Sequence, residues 1–313
     1  MPGPRLPLRS SSIAICLTFT LAACGNGGDG SGQNGPSANG GGELSIAQLK
    51  EGATLVSLIP AQSQLPVGPG PFTFGLVTSG GDLLTGGAPQ VFLATDETSR
   101  VIGPFTASFH RFTAFERFPN SAPRTPLTGF YSVDVDVPRP GNWLFAGVAE
   151  EGATHSVGTA LVTVTEGPQA GQVGTEALTT ATPVATTDEG RRKICTREPP
   201  DAMHYISLDD ALQNGKPTVV NFGTPLLCTS RMCGPVVDEQ LAVFEAVGPD
   251  RANFIHVEVY PERDQERPAP VFLEWGFDTE PITLVIDGEG MIRSRFEGPV
   301  TADQIQAALD PLL

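Results

Sequence analysis

The sequence is short of most residues that make an active site easy to find. It has 4 histidines, 4 methionines, 2 tryptophans and 3 tyrosines among 313 residues. Charged residues are few, at 17%, and basic ones scarcer still: 19 Lys and Arg stand against 35 Asp and Glu, a formal net charge of −16. That balance excludes a basic surface for nucleic acid or anionic lipid. Long hydrophobic runs are missing too. The apolar stretch at 13–21 falls well short of the ~20 residues that span a bilayer. No Ser-His-Asp order, phosphate-binding glycine loop or clustered carboxylate pair stands out. Glycine and proline, by contrast, are plentiful, with 36 and 29 residues, so turns and connecting segments are numerous. The length predicts two domains.

Cysteine is also scarce, and its placement is informative. There are 5, at positions 16, 24, 195, 228 and 233. Arg5 and Arg9 precede the apolar stretch, and Leu21-Ala22-Ala23-Cys24 after it resembles the lipobox of bacterial lipoproteins. The resemblance implies a signal peptide over 1–23 and a lipidated Cys24 as the first mature residue. The protein is then expected on the extracytoplasmic face of a cell membrane, on the periplasmic or cell-wall side, held by lipid alone. Residues 24–43, rich in Gly, Ser and Asn, read as a flexible tether. Cys195, Cys228 and Cys233 remain, an odd number for an oxidising compartment.

Residues 44–166 carry a β pattern throughout. Candidate strands are 54–59, 71–77, 91–94, 105–109, 130–137, 142–148 and 155–165. In the clearest, Tyr131, Val133, Val135 and Val137 alternate with Ser132, Asp134 and Asp136. Short strands at this spacing predict an all-β sandwich, and the pair around 129–131 and 141–143 resembles immunoglobulin-like extracytoplasmic domains. Residues 167–200, rich in Thr, Gly, Pro and Ala, read as a linker in which Cys195 is a bystander. From 201 to 313 the pattern turns α/β. A helix over 207–214 with Ser207 as cap precedes a strand at 218–222. A long helix, a strand at 253–260, a short helix at 269–275 and a strand pair at 281–286 and 291–296 follow. Thr301 caps a last helix with Ile305, Ala308, Leu309 and Leu312 on its apolar face.

The segment at 218–237, TVVNFGTPLLCTSRMCGPVV, concentrates the chemistry. A buried strand runs into a loop with Cys228, and Cys233-Gly234-Pro235 opens a helix in which Pro235 suits the first position. Free N–H groups and the helix dipole at such an end stabilise a thiolate. This makes Cys233 the expected nucleophile, with Cys228 in a flexible loop able to bridge to it.

GKPTVVNF followed by the Cys-Gly-Pro helix start resembles the active-site segment of the thioredoxin superfamily. The likeness extends over 201–313: Thr279-Glu280-Pro281-Ile282-Thr283 resembles the segment carrying that fold's cis-proline, 284–292 its closing hairpin and 301–313 its last helix. The departure is that Val236 replaces the second cysteine of Cys-Gly-Pro-Cys, and Cys228 stands upstream instead. The resemblance implies a thioredoxin-like α/β fold behind the sandwich and a thiol–disulfide oxidoreductase. Cys233 would attack, Cys228 resolve, and a cis Pro281 position a protein or small-molecule thiol or disulfide, with a redox partner protein completing the cycle. Cys228-Thr229-x-x-x-Cys233 is also similar to the Cys-Thr-x-x-x-Cys pair of Q-type peroxiredoxins, which implies a peroxidase with Cys228 as the reactive thiol. A third reading is a binding lipoprotein that keeps the fold as scaffold. No cofactor is expected, and no metal. Met232, His204 and His256 invite comparison with copper-delivering Sco-type proteins, but the cysteine spacing differs and no histidine lies near Pro281. His256 reads as packing.

Overall fold

The computed structural model describes residues 44–313 apart from 63, 119–127, 168–169, 229 and 266. The expectations for 1–23, 24–43, Cys24 and Thr229 lie outside the described residues. After α1 (Ile46–Leu49), whose Ser45–Gln48 capping box satisfies its first N–H groups, come β1 (Thr54–Pro60), β2 (Gln64–Pro66), β3 (Gly68–Val77), β4 (Gln90–Ala94), β5 (Ile102–Thr106) and β6 (Ser108–Arg111). A short α2 (Ala114–Arg117) precedes β7 (Gly129–Val137), β8 (Gly141–Glu151) and β9 (Thr154–Thr165). Alternation along β7 orients it as expected, with Tyr131, Val133, Val135 and Val137 buried and Asp134 and Asp136 exposed.

In its hydrogen bonding this part is one nine-stranded sheet, not the two separate sheets a sandwich implies. The strands run β5-β4-β8-β9-β1-β3-β7-β6, with β2 beside β9. β5 and β6 flank Ala107, so the two ends of that path meet and the sheet rolls round its own core. The expected strand at 105–109 breaks there because Ala107 turns inward and its N–H bonds the Pro89 carbonyl at 2.8 Å. Phe72, Phe74, Tyr131, Trp143 and Phe145 fill the core. The two polar rings among them are satisfied, Tyr131 donating to Gly86 O and Trp143 to Arg139 O.

The second part begins with a helix the sequence reading missed, α3 (Asp188–Ile194), and continues with α4 (Leu208–Ala211), β10 (Thr218–Gly223), α5 (Cys233–Val247), β11 (Asn253–Glu258), α6 (Pro270–Glu274), β12 (Ile282–Ile286), β13 (Ile292–Glu297) and α7 (Ala302–Leu309). The sheet order is β11-β10-β12-β13, with β10 and β11 parallel and β12 antiparallel to both of its neighbours. β10, β11 and β12 are buried on both faces, which explains their near-continuous apolar sequence. One face packs Leu208, Phe272 and Trp275. The other packs Val237 and Leu241 of α5 with Ile305 and Leu309 of α7. Thr301 caps α7 as expected. Ser207 does not cap α4: its hydroxyl accepts from Thr182 N–H, and Thr182 Oγ1 accepts from Leu208 N–H in its stead.

The segment expected as a linker is fastened along its length. Glu176 bridges to Met291, Ala185 N–H bonds His204 O, Thr196 bonds Glu258, and Arg197 pairs with buried Asp238 at 2.8 Å. The β-rich part is joined to α5 as well. Phe112 and Phe130 enter the core formed by α5 and α7. Glu239, buried on α5, accepts from Thr113 N–H and Ala114 N–H with one oxygen and from Ala302 N–H with the other, so one carboxylate serves two helix starts. Residues Glu43–Leu313 therefore form one compact unit.

Candidate active site

β10 ends at Gly223, and the chain loops through Thr224–Met232 before α5. Cys228 N–H bonds Thr224 O, and Arg231 N–H bonds Cys228 O with Arg231 in the left-handed region at φ 61°. This turn folds Cys228 back in front of the helix. Its Sγ accepts from Cys233 N–H at 3.3 Å and lies 3.2 Å from Ser230 Oγ. The sulfurs of Cys228 and Cys233 and a carboxylate oxygen of Glu280 all lie within 4.8 Å of one another. The cysteines are free thiols. Pro281, next to Glu280, follows a cis peptide bond. Because Phe222 pairs with Ile282, Pro281 sits beside the loop end of β10.

The helix begins at Cys233, earlier than expected, and this reverses the electrostatics foreseen for the pair. Cys233 is part of the first turn and wholly buried, whereas Cys228 receives the free N–H groups. The Cys233 thiol first, then the Ser230 hydroxyl and the N–H groups of Cys233 and Met232, outweigh burial and bring Cys228 down to about 6. Burial and the neighbouring Cys228 push Cys233 well above the ordinary thiol range. Glu280, which the sequence reading passed over, is raised to about 7 by burial and by the Cys228 charge. A lone carboxyl has no spacing signature; its place before Pro281 was the only available signal. Beside this site Ser230 and Met232 meet Ile59, Phe74, Phe130 and Pro299 around an apolar groove of about 140 Å³.

A second cluster lies behind the same strands. Cys195, Asp201, His204 and His256 are all buried, each offering a donor atom within 4.8 Å of the others. Cys195 Sγ is 3.4 Å from Asp201 Oδ2 and 3.8 Å from His256 Nδ1, and Asp201 Oδ2 is 2.8 Å from His256 Nδ1. His256 is therefore ion-paired rather than apolar packing, and Cys195 is a member of a polar core rather than a linker thiol. Burial alone would raise Asp201, but His256 and His204 hold it well below the usual carboxylate range. Burial raises Cys195, and the same two rings more than offset it, lowering the thiol.

The parallel β10–β11 pair, the antiparallel β12–β13 pair, helices on both faces and a thiol pair at the α5 start opposite a cis proline together define a thioredoxin-type dithiol fold. No family model matches the chain. Over 134 residues, 40% of its length, the chain is 31% identical to the thiol:disulfide interchange protein HelX of Rhodobacter capsulatus, 76% of which is covered. The chain belongs to the family of thiol:disulfide interchange proteins. Among solved structures it is similar to a DsbF homologue from Corynebacterium diphtheriae, at 21% identity and TM-score 0.29, covering 34% of this chain and 77% of that one. It is also similar to the filamin domain of Lin-41, at 15% identity and TM-score 0.19, covering 34% and 85%.

Proposed function

We propose that the protein is an extracytoplasmic, lipid-anchored thiol–disulfide oxidoreductase in which Cys228 attacks and Cys233 resolves. The observation that carries this reading is Cys228 Sγ at the α5 N-terminus, accepting from Cys233 N–H and within 4.8 Å of the Cys233 sulfur. The Cys228 thiolate attacks a substrate disulfide, forming a mixed disulfide and releasing one substrate thiolate. Cys233 then gives up its proton, its sulfur attacks Cys228 Sγ, and the second substrate thiolate leaves as the Cys228–Cys233 disulfide forms. Glu280, poised at about 7 beside both sulfurs, takes the Cys233 proton. The reverse sequence oxidises a substrate dithiol. Pro281 and the apolar groove by Ser230 favour an extended protein segment with apolar residues beside its cysteine.

Trapping tests the roles. Cys233→Ser should accumulate a mixed disulfide on Cys228, and Cys228→Ser should accumulate none; the opposite pattern refutes the assignment. The anchor rests on the lipobox resemblance, and Cys24→Ser should move the protein from the membrane to the soluble fraction. A peroxidase is the second reading, favoured because the low thiol is Cys228, the one the peroxiredoxin resemblance assigns as reactive. Peroxide should then convert Cys228 to a sulfenic acid faster than the dithiol exchanges with disulfides.

A further inference from the structure

We propose that Cys195, Asp201, His204 and His256 form a tetrahedral binding site for a zinc-like divalent cation. The four donors come from three separate places: Cys195 directly after α3, Asp201 and His204 in the loop before α4, and His256 on β11. Zinc bonds of about 2.0–2.3 Å to sulfur, nitrogen and oxygen put neighbouring donors of a tetrahedron roughly 3.3–3.8 Å apart. Cys195 Sγ lies 3.4 Å from Asp201 Oδ2 and 3.8 Å from His256 Nδ1, and His204 Nε2, which stands 3.6 Å from the other carboxylate oxygen, Asp201 Oδ1, completes a set of four donors within 4.8 Å of one another. Only the Asp201–His256 contact is shorter, at 2.8 Å, the spacing of two donors that share a proton. A cation replacing that proton needs them to part by roughly 0.5–1 Å.

An independent observation points the same way. His204 Nε2 is buried, its residue 2% exposed, and it makes no hydrogen bond, Asp201 Oδ1 standing off at the longer ion-pair distance of 3.6 Å. Such a nitrogen costs free energy unless something satisfies it, and it faces the other three donors. The supporting shell is also built. His256 Nε2 lies 3.4 Å from Gly223 O, leaving Nδ1 as the ligand, and Asp201 Oδ1 accepts from Met203 N–H at 3.0 Å. The charges balance: one thiolate and one carboxylate with two neutral imidazoles neutralise a divalent ion, which limits the cost of burying it. Binding releases to water the Cys195 thiol proton and the His256 Nδ1 proton. Mixed sulfur, nitrogen and oxygen donors suit zinc, not the all-oxygen preference of magnesium or calcium. The ion would pin 195–204 to β11 and keep the third thiol out of exchange with Cys228 and Cys233.

Cobalt(II) tests this by absorption. The full chain carrying Cys228→Ser and Cys233→Ser, which removes the competing thiol pair, should bind one equivalent with tetrahedral visible bands and a thiolate-to-cobalt band. Adding Cys195→Ala should abolish the thiolate band. Losing an outer-shell partner weakens a metal site about 10–100-fold, so replacing the ligand itself by His204→Gln should weaken cobalt and zinc by about 100-fold or more. Native mass spectrometry should show the same stoichiometry with zinc. A parent variant without the thiolate band, or a band that survives Cys195→Ala, overturns the site.

Discussion

Cys228 and Cys195 are both buried and both hold their protons more loosely than an ordinary thiol, yet they reach that state by different means. At Cys228 the help comes from a helix start, a hydroxyl and a second thiol, none carrying a full positive charge. At Cys195 it comes from two histidines held in place by Asp201. The first arrangement leaves the sulfur beside a surface loop, next to exposed Leu226 and Ser230. The second encloses it at 2% exposure. A lowered pKa therefore does not by itself make a nucleophile. Access and a second sulfur within reach separate a reactive site from a closed polar core.

The largest expected difference is in alkylation. At pH 6.5 an unperturbed thiol is only about 1% thiolate, whereas Cys228 at about 6 is mostly ionised. In reduced protein, iodoacetamide should modify Cys228 about 100-fold faster than Cys233, which is barely ionised there. Cys195 should lag comparably, because burial blocks the reagent. The Cys228 rate should plateau above pH 7 and drop about tenfold per unit below 6. Equal rates at Cys195 and Cys228, read by peptide mass mapping, would dissolve the contrast.

The two carboxyls sharpen the comparison in stability. Asp201 is ion-paired with His256 inside the protein, so Asp201→Ala in chelated protein should cost about 3–5 kcal/mol by leaving that imidazolium without its partner. Urea unfolding would measure it. Glu280 should behave oppositely. Its folded pKa is raised to about 7 from 4.5, so its contribution is full below 4.5 and is lost as pH rises through 7. Glu280→Gln should accordingly cost least, or gain, above pH 7. It should also slow the decay of the mixed disulfide about tenfold at pH 7, as expected for loss of a modest proton acceptor, with a smaller effect at pH 9. An unchanged decay rate would remove Glu280 from the exchange.

These contrasts were only partly legible in the sequence. The buried strand at 218–222, the last helix with its Thr301 cap and the cis proline could be read, because each depends on local pattern or a motif of fixed spacing. The helix start could be read only to within two residues. That small error carried a large consequence, since it decides whether Cys233 is the capping thiol or a buried member of the first turn. Pro235 was a misleading guide: a proline is tolerated at any of the first helical positions that lack an N–H partner. The Cys195 cluster was hidden for another reason. Positions 195, 201, 204 and 256 share no period, and a Thr- and Pro-rich segment looks like a spacer until its hydrogen bonds to Glu258, Asp238 and His204 are seen. Glu239 was hidden similarly, as one acid on a helix whose two oxygens reach the starts of two others.

The smallest expected effect isolates the helix contribution at Cys228. Ser230 is exposed, and its hydroxyl lies 3.2 Å from the sulfur. In Ser230→Ala water replaces much of that bond, so the loss should be about 0.5–1 kcal/mol, or roughly half a pKa unit upward. With Cys228 starting at about 6, the thiolate fraction at pH 6 then falls by about twofold, and at pH 8 it hardly changes. Alkylation and disulfide exchange should follow: about half the rate at pH 6, parity at pH 8, and recovery in Ser230→Thr, which restores the hydroxyl. A loss of equal size at both pH values would mean that Ser230 acts through the apolar groove it lines, by seating the substrate. No loss at either would leave the Cys233 thiol and the helix N–H groups as sufficient on their own to hold Cys228 ionised.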